Sequence, residues 1–314
     1  MRVEKIDARE APLELLRELH ACDVAATAEL LPGEPPIPFE QFEGYLRHPG
    51  QGIRHRWLAR EDDGVAGTAS LVVHGPRFAF VEVKVHPASR RRGIGSALLA
   101  DLVATAREEG VRAMFGHHVT PAGAAFAARA GARDDQRDIR SRLELRTADL
   151  PPPRVPEGVE LRSWVGLSPE ELLESHAAAR EAMRDAPMPG GTEDPGWTVD
   201  EHRAMEDASI ARGRPPRVTV AIEDGEIVAF TDLRVSAPPA PVALTDDTAT
   251  LPQARRRGLA SAVKLEALRR LRDERPDVRF VVTFNAERNT AMRAVNTRLG
   301  FVPVATFTST VLEL

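Results

Sequence analysis

The chain has 314 residues, 42% of them hydrophobic and 28% charged, enough for roughly two domains with cores of their own. Its net charge of −5 and sequence pI of about 6.0 argue against a general nucleic-acid binder, and no apolar run approaches the ~20 residues that span a bilayer. The single cysteine, Cys22, excludes an internal disulfide framework and a thiolate metal cluster, and the charged opening MRVEKIDARE has no apolar segment behind it, so the cytoplasm is the expected compartment.

The pattern opens with a strand and predicts helices over Leu13–Leu30 and Phe39–Leu46. Two strands follow, Ile53–Arg60 and Val65–Val73, joined by the acidic turn Glu61-Asp62-Asp63-Gly64. A third strand runs into an arginine-rich turn, Val81 to Leu98, and then a helix with Leu98, Leu99, Leu102 and Ala106 at helical spacing. A strand (Arg112–Phe115), a short helix of small apolar residues suited to packing (Ala122–Ala130), Gly131 and a closing strand (Asp138–Leu145) complete the half. The prolines of Asp149-Leu150-Pro151-Pro152-Pro153-Arg154-Val155-Pro156 continue neither a helix nor a central strand, so this segment reads as a linker.

The same order then recurs. Helices are expected over Glu170–Met183 and Val199–Ala211, strands over Arg217–Ile222 and Glu226–Val235 around Glu223-Asp224-Gly225, then a strand, an arginine turn and a helix with Val263, Leu265, Leu268 and Leu271. A strand over Val278–Phe284, a short helix ending at Gly300 and a closing strand over Val304–Leu314 finish the chain. Each half reads β-α-α-β-β-β-α-β-α-β-β, a mixed α/β order that is neither a Rossmann sheet nor an all-β fold. The expected domains are residues 1–148, a linker at 149–157, and residues 158–314.

The repeat is sharpest at the arginine turns. Pro87 and Pro252, and Gly93 and Gly258, both stand 165 residues apart, and three arginines, a small residue and a serine recur in the same register. Arg90-x-x-Gly93-x-Gly95 and Arg255-x-x-Gly258-x-Ala260 each lie between a strand and a helix. First-turn N–H groups and the helix dipole attract anions there, glycine permits close approach and positive φ, and arginines add charge suited to phosphates.

These residues resemble the GNAT (GCN5-related N-acetyltransferase) superfamily signature Q/R-x-x-G-x-G/A, twice over nearly the whole chain, in the tandem arrangement of actinobacterial two-domain members. The resemblance implies acetyl-CoA as donor and an N-acetyltransferase acting by direct transfer on the amine of a small molecule. It assigns Val83, Lys84, Val85, Thr248, Ala249 and Thr250 to the pantetheine and thioester. It assigns Arg90, Arg91, Arg92, Gly93, Ile94, Gly95 and Ser96, and likewise Arg255, Arg256, Arg257, Gly258, Leu259, Ala260 and Ser261, to the pyrophosphate. The family's second motif, Asn-x-x-Ala-x-x-x-Tyr-x-x-x-Gly-Phe, is met in the second half by Asn289 and Gly300-Phe301, with Asn296 in the tyrosine's place.

 

In the first half Thr120, Ala127 and Gly131-Ala132 replace the motif's Asn, Tyr and Gly-Phe, so the second half is the expected catalytic half.

Direct transfer needs a base for the amine proton. Asp246 and Asp247 precede the second turn; strand alternation puts them on opposite faces, and Asp247, 165 residues after Glu82, is the preferred base. Asn296 donates a hydrogen bond but no proton, which leaves the thiolate to depart unassisted. Glu82 and Lys84 are expected to pair with nearby arginines, and Tyr45, the only tyrosine, to pack. The acidic segment Arg184–Trp197 suits an amine or polycationic acceptor. His117 and His118 point to opposite faces of a strand, and no metal is expected. A CoA-binding protein without turnover, or a protein N-acetyltransferase, is the alternative reading. The residues leave a homodimer open.

Overall fold

The structure, a computed structural model, describes residues 1–314 apart from 32, 49–51, 63, 75–77 and 186–197, and the side chains of 184 and 185. The chain forms two compact units: residues 1–137 with 305–314, and residues 138–304. The unit boundaries therefore differ from the halves of the sequence at the closing strands.

Unit 1 contains β1 (Arg2–Ile6), α1 (Leu13–Thr27), α2 (Phe39–Arg47), β2 (Ile53–Glu61), β3 (Gly64–Val73), β4 (Phe78–Val85), α3 (Ile94–Glu108), β5 (Ala113–His118) and α4 (Pro121–Arg129). One strand, β6 (Arg133–Glu144), closes the half where two were expected. From Asp138 on, β6 belongs to unit 2, where it pairs antiparallel with β11 (Phe280–Ala286). In return, β12 (Val302–Glu313) pairs antiparallel with β5, Thr308–Glu313 lying opposite His118–Ala113. The sheet order in unit 1 is β1-β2-β3-β4-β5-β12, antiparallel except for a parallel pairing of β4 with β5 limited to Phe78–Phe80 and Ala113–Phe115.

Unit 2 adds β7 (Val159–Val165), α5 (Glu170–Arg180), α6 (Val199–Ala211), β8 (Pro216–Glu223), β9 (Glu226–Arg234), β10 (Val242–Thr250), α7 (Leu259–Glu274) and α8 (Thr290–Arg298). Its order is β6-β11-β10-β9-β8-β7, and the parallel pairing of β10 with β11 is again limited to three residues, Val242–Leu244 with Phe280–Val282.

Helical periodicity explains the packing. In α3 the buried positions are Ile94, Leu98, Leu102 and Ala106, one per turn, set against Ala69, Leu71 and Ala79 of the sheet. In α7 Leu268 and Leu271 join Leu233, Val281 and Phe301. Each of these fully buried leucines contributes about 1.5–3 kcal/mol. The short helix α4 departs from expectation: none of its residues is fully buried.

Candidate active site

The two arginine turns have the same backbone. Arg91 and Arg256 both take φ 63°, and Gly93 and Gly258 take φ 85° and 83°, directly ahead of α3 and α7. Neither helix has a side-chain N-cap, so its first-turn N–H groups remain available to an anion. A Cβ at either glycine would meet nothing within 4 Å, so what requires glycine there is the left-handed backbone.

Not every arginine serves as a phosphate charge. The Arg90 Nε donates to the Val85 carbonyl at 3.3 Å, and the Arg255 Nε donates to the Thr250 carbonyl at 3.2 Å, so each braces the turn on its own strand. Arg92 is paired with Glu61 and Arg257 with Glu223, both on the preceding hairpins, and Arg90 is also paired with Glu29. Arg91 and Arg256 are exposed and, among the described residues, make no ion pair. Arg91 and Arg256 therefore stand apart from their neighbours, whose hydrogen bonds and ion pairs hold the loop's shape.

Val83, Lys84 and Val85 pair with β3, and Thr248, Ala249 and Thr250 with β9, while both stretches lie beyond the short parallel pairing on their other side. That leaves a strand edge in each unit whose backbone groups can receive an extended ligand. In unit 1 the ring of Phe126 stands against Gly95, 3.2 Å from where a Cβ would lie.

The units differ most at the strand before the turn. The β3–β4 register is continuous from Val73↔Ala79 to Gly67↔Val85. The β9–β10 register shifts between Thr245 and Thr248, a bulge that holds Asp246 and Asp247. The Thr231 hydroxyl holds the bulge, 2.7 Å from the Thr248 hydroxyl and 3.3 Å from the Asp247 carbonyl. The bulge overturns the expectation that alternation separates the two aspartates. Arg180 pairs with both Asp232 (2.9 Å) and Asp247, and Arg234 pairs with both Asp232 (3.6 Å) and Asp246 (3.0 Å), so all three carboxylates share one arginine cluster. Burial pushes the Asp247 carboxyl up to about 6; Arg180 opposes this, and Asp246 and Asp232 add to it. Burial also works against Asp232, but Arg180 and Arg234 outweigh it and hold that carboxyl below its ordinary value.

Glu82, the counterpart of Asp247, pairs with Lys84, which also pairs with Asp23 at 2.6 Å. The expected arginine partners are thus replaced by a lysine. Asn296 is buried and donates from Nδ2 to the Asn285 Oδ1 at 2.6 Å, on β11 and not in the aspartate cluster. Asn289 caps α8, accepting from the Met292 N–H. His118 faces Asp134 and His117 faces Phe307, as alternation requires. The acceptor segment expected from Arg184 to Trp197 lies outside the described residues, apart from the backbone at 184 and 185.

Sequence reasoning missed a second buried network. The Ser168 hydroxyl lies 2.8 Å from His176 Nδ1, 3.3 Å from His202 Nε2 and 2.6 Å from Glu206 Oε1, tying the start of α5 to α6. Burial drives the His176 imidazole down to about 3. His202 and Glu206 are four apart on α6, a spacing visible in sequence, but their meeting with His176 is a tertiary fact.

The chain is similar to known acetyltransferases. Residues 15–131 and 178–301 both match the acetyltransferase (GNAT) family. A mycothiol acetyltransferase from Nocardia farcinica is 31% identical, over 96% of this chain and 93% of that protein. One from Thermobispora bispora is 30% identical over 95% of each. Among solved structures, a tandem GNAT protein from the clavulanic acid biosynthesis pathway is 28% identical with a TM-score of 0.83, covering 99% of this chain and 98% of that one. A GCN5-related N-acetyltransferase from Sphaerobacter thermophilus shares the fold at 17% identity and a TM-score of 0.72, covering 99% and 95%. The chain belongs to the acetyltransferase (GNAT) family and is a tandem, acetyl-CoA-dependent N-acetyltransferase.

Proposed function

We propose that unit 2 carries out the transfer, with the α7 turn holding acetyl-CoA and Asp247 taking the proton of a small-molecule amine. The β10 bulge carries this reading, since it sets Asp246 and Asp247 beside the free strand edge at Thr248–Thr250, and β4 has no counterpart to it. Acetyl-CoA supplies an acetyl thioester. The first-turn N–H groups of α7 and the Arg256 guanidinium would bind its phosphates, and the edge of β10 would orient the thioester arm. With its pKa near 6, Asp247 is ionised at neutral pH and accepts the proton lost as the amine attacks the thioester carbonyl. Asp232 and Arg180 hold that carboxylate in place. Asn296 is committed to Asn285, so the thiolate leaves without a proton from that side chain.

The similarity to mycothiol acetyltransferases over nearly the whole chain supports a small metabolite as acceptor. The test is the pH dependence of kcat/KM, with acetyl-CoA and a panel of primary amines. The wild type is expected to lose activity as pH falls through about 6, where Asp247 takes up its proton. Asp247→Asn is expected to lower kcat by ~10²–10⁴-fold and to abolish that limb. An unchanged profile in the variant contradicts the assignment.

A further inference from the structure

Unit 1 carries an open cavity of about 550 Å³, within the ~300–1,000 Å³ of small-molecule sites. Register defines its floor. Arg56 lies opposite Ser70, and Arg54 opposite Val72, so alternation puts these four side chains on one face of the sheet. Lys5, Asp7, Arg9 and Tyr45 are among the other residues that line it. The expectation that Tyr45 is a packing residue is corrected here: it is 37% exposed and borders the cavity.

Arg56 is the unusual member. Among the described residues it makes no hydrogen bond or ion pair. Burial works against its charge, and the nearby Glu82 and Asp23 carboxylates favour it, but both of those are bound by Lys84, at 2.8 and 2.6 Å. The guanidinium thus borders a cavity without a direct acceptor. Unit 2 fills the equivalent place. There Val218 pairs with Trp164 and Asp232 as Arg56 pairs with Ile6 and Ser70, and Val218 packs with Leu172, Phe230 and Trp164. One face has been built twice, once acidic and packed, once basic and hollow.

We propose that unit 1 holds a second ligand site, for a small carboxylate-bearing metabolite seated on Arg56 and Arg54 beside the hydroxyls of Ser70 and Tyr45. A planar guanidinium matches a carboxylate in two-point fashion. A dianionic phosphate suits the cavity less. Asp7 already engages Arg9 at 2.8 Å, and the last turn of α2, with Tyr45 and Leu46, presents the negative end of its helix dipole.

The test is ligand-observed NMR on the full-length protein with the monocarboxylates benzoate, acetate and lactate, using benzamide and inorganic phosphate as controls. At least one carboxylate is expected to bind, and to bind at least tenfold more weakly to Arg56→Met, while neither control displaces it. Arg54→Met provides a second variant, and thermal melting establishes that each variant is folded. The proposal is overturned if no carboxylate binds, if both folded variants bind as the wild type does, or if phosphate or benzamide competes equally well.

Discussion

At the scale of single residues, unit 2 manages buried charge in two ways. Asp232 is 1% exposed and Arg180 3%, and each has a partner in the other. Removing one member of such a pair strands the other and typically costs 3–5 kcal/mol, so Arg180 is a structural requirement as well as a support for Asp247. Lys264 has no such arrangement. It is 2% exposed, lies 5.5 Å from the Phe301 ring, and burial pushes its ammonium down to about 7. Between pH 7 and its ordinary value of 10.5 the unfolded chain holds a proton that the folded chain does not, so stability rises with pH across that window. Lys264→Met is expected to raise Tm by several degrees at pH 7 and to flatten that rise. Thermal melts at pH 7 and pH 10 check it, and an equal or lower Tm at pH 7 counts against it.

At the scale of elements, the bulge in β10 separates the two copies of the fold. A regular strand would alternate Asp246 and Asp247 between faces, whereas the bulge brings both to the arginine cluster. The Thr231 hydroxyl supports the bulge through Thr248 and the Asp247 carbonyl. Thr231→Val is therefore expected to cost about 1–2 kcal/mol of stability and to reduce kcat/KM about tenfold. Urea denaturation and steady-state kinetics measure the two effects, and full activity in a folded variant argues against the bulge's role. Most of the elements could be read from the sequence: the acidic hairpin turns, the arginine turns and the spacing of Leu98 and Leu102 are local signals. The bulge left no such signal, because Thr-Asp-Asp-Thr is an ordinary polar run until it is paired with β9. Nor could the sequence say that Arg92 and Arg257 are tied to hairpin glutamates, since those pairs join residues 31 and 34 apart.

At the scale of the whole molecule, the duplication visible in the sequence does not yield two self-contained halves. β5 in unit 1 pairs with the strand at the end of the chain, and β11 in unit 2 pairs with the strand that closes the first half. A truncation after Val304 is expected to leave β5 without that partner and to destabilise unit 1, read as lost amide protection in residues 113–118 by hydrogen exchange. Unchanged protection there contradicts the exchange of strands. The central claim, that acetyl transfer belongs to the turn ahead of α7, is tested most directly by acetyl-CoA turnover with a panel of primary amines in wild type, Gly93→Glu and Gly258→Glu. Each substitution sets a carboxylate where phosphate is expected and strains a left-handed residue, so circular dichroism accompanies the assay. The account predicts that the wild type and Gly93→Glu acetylate an amine and that Gly258→Glu does not. Activity that survives Gly258→Glu and is lost in Gly93→Glu would contradict it.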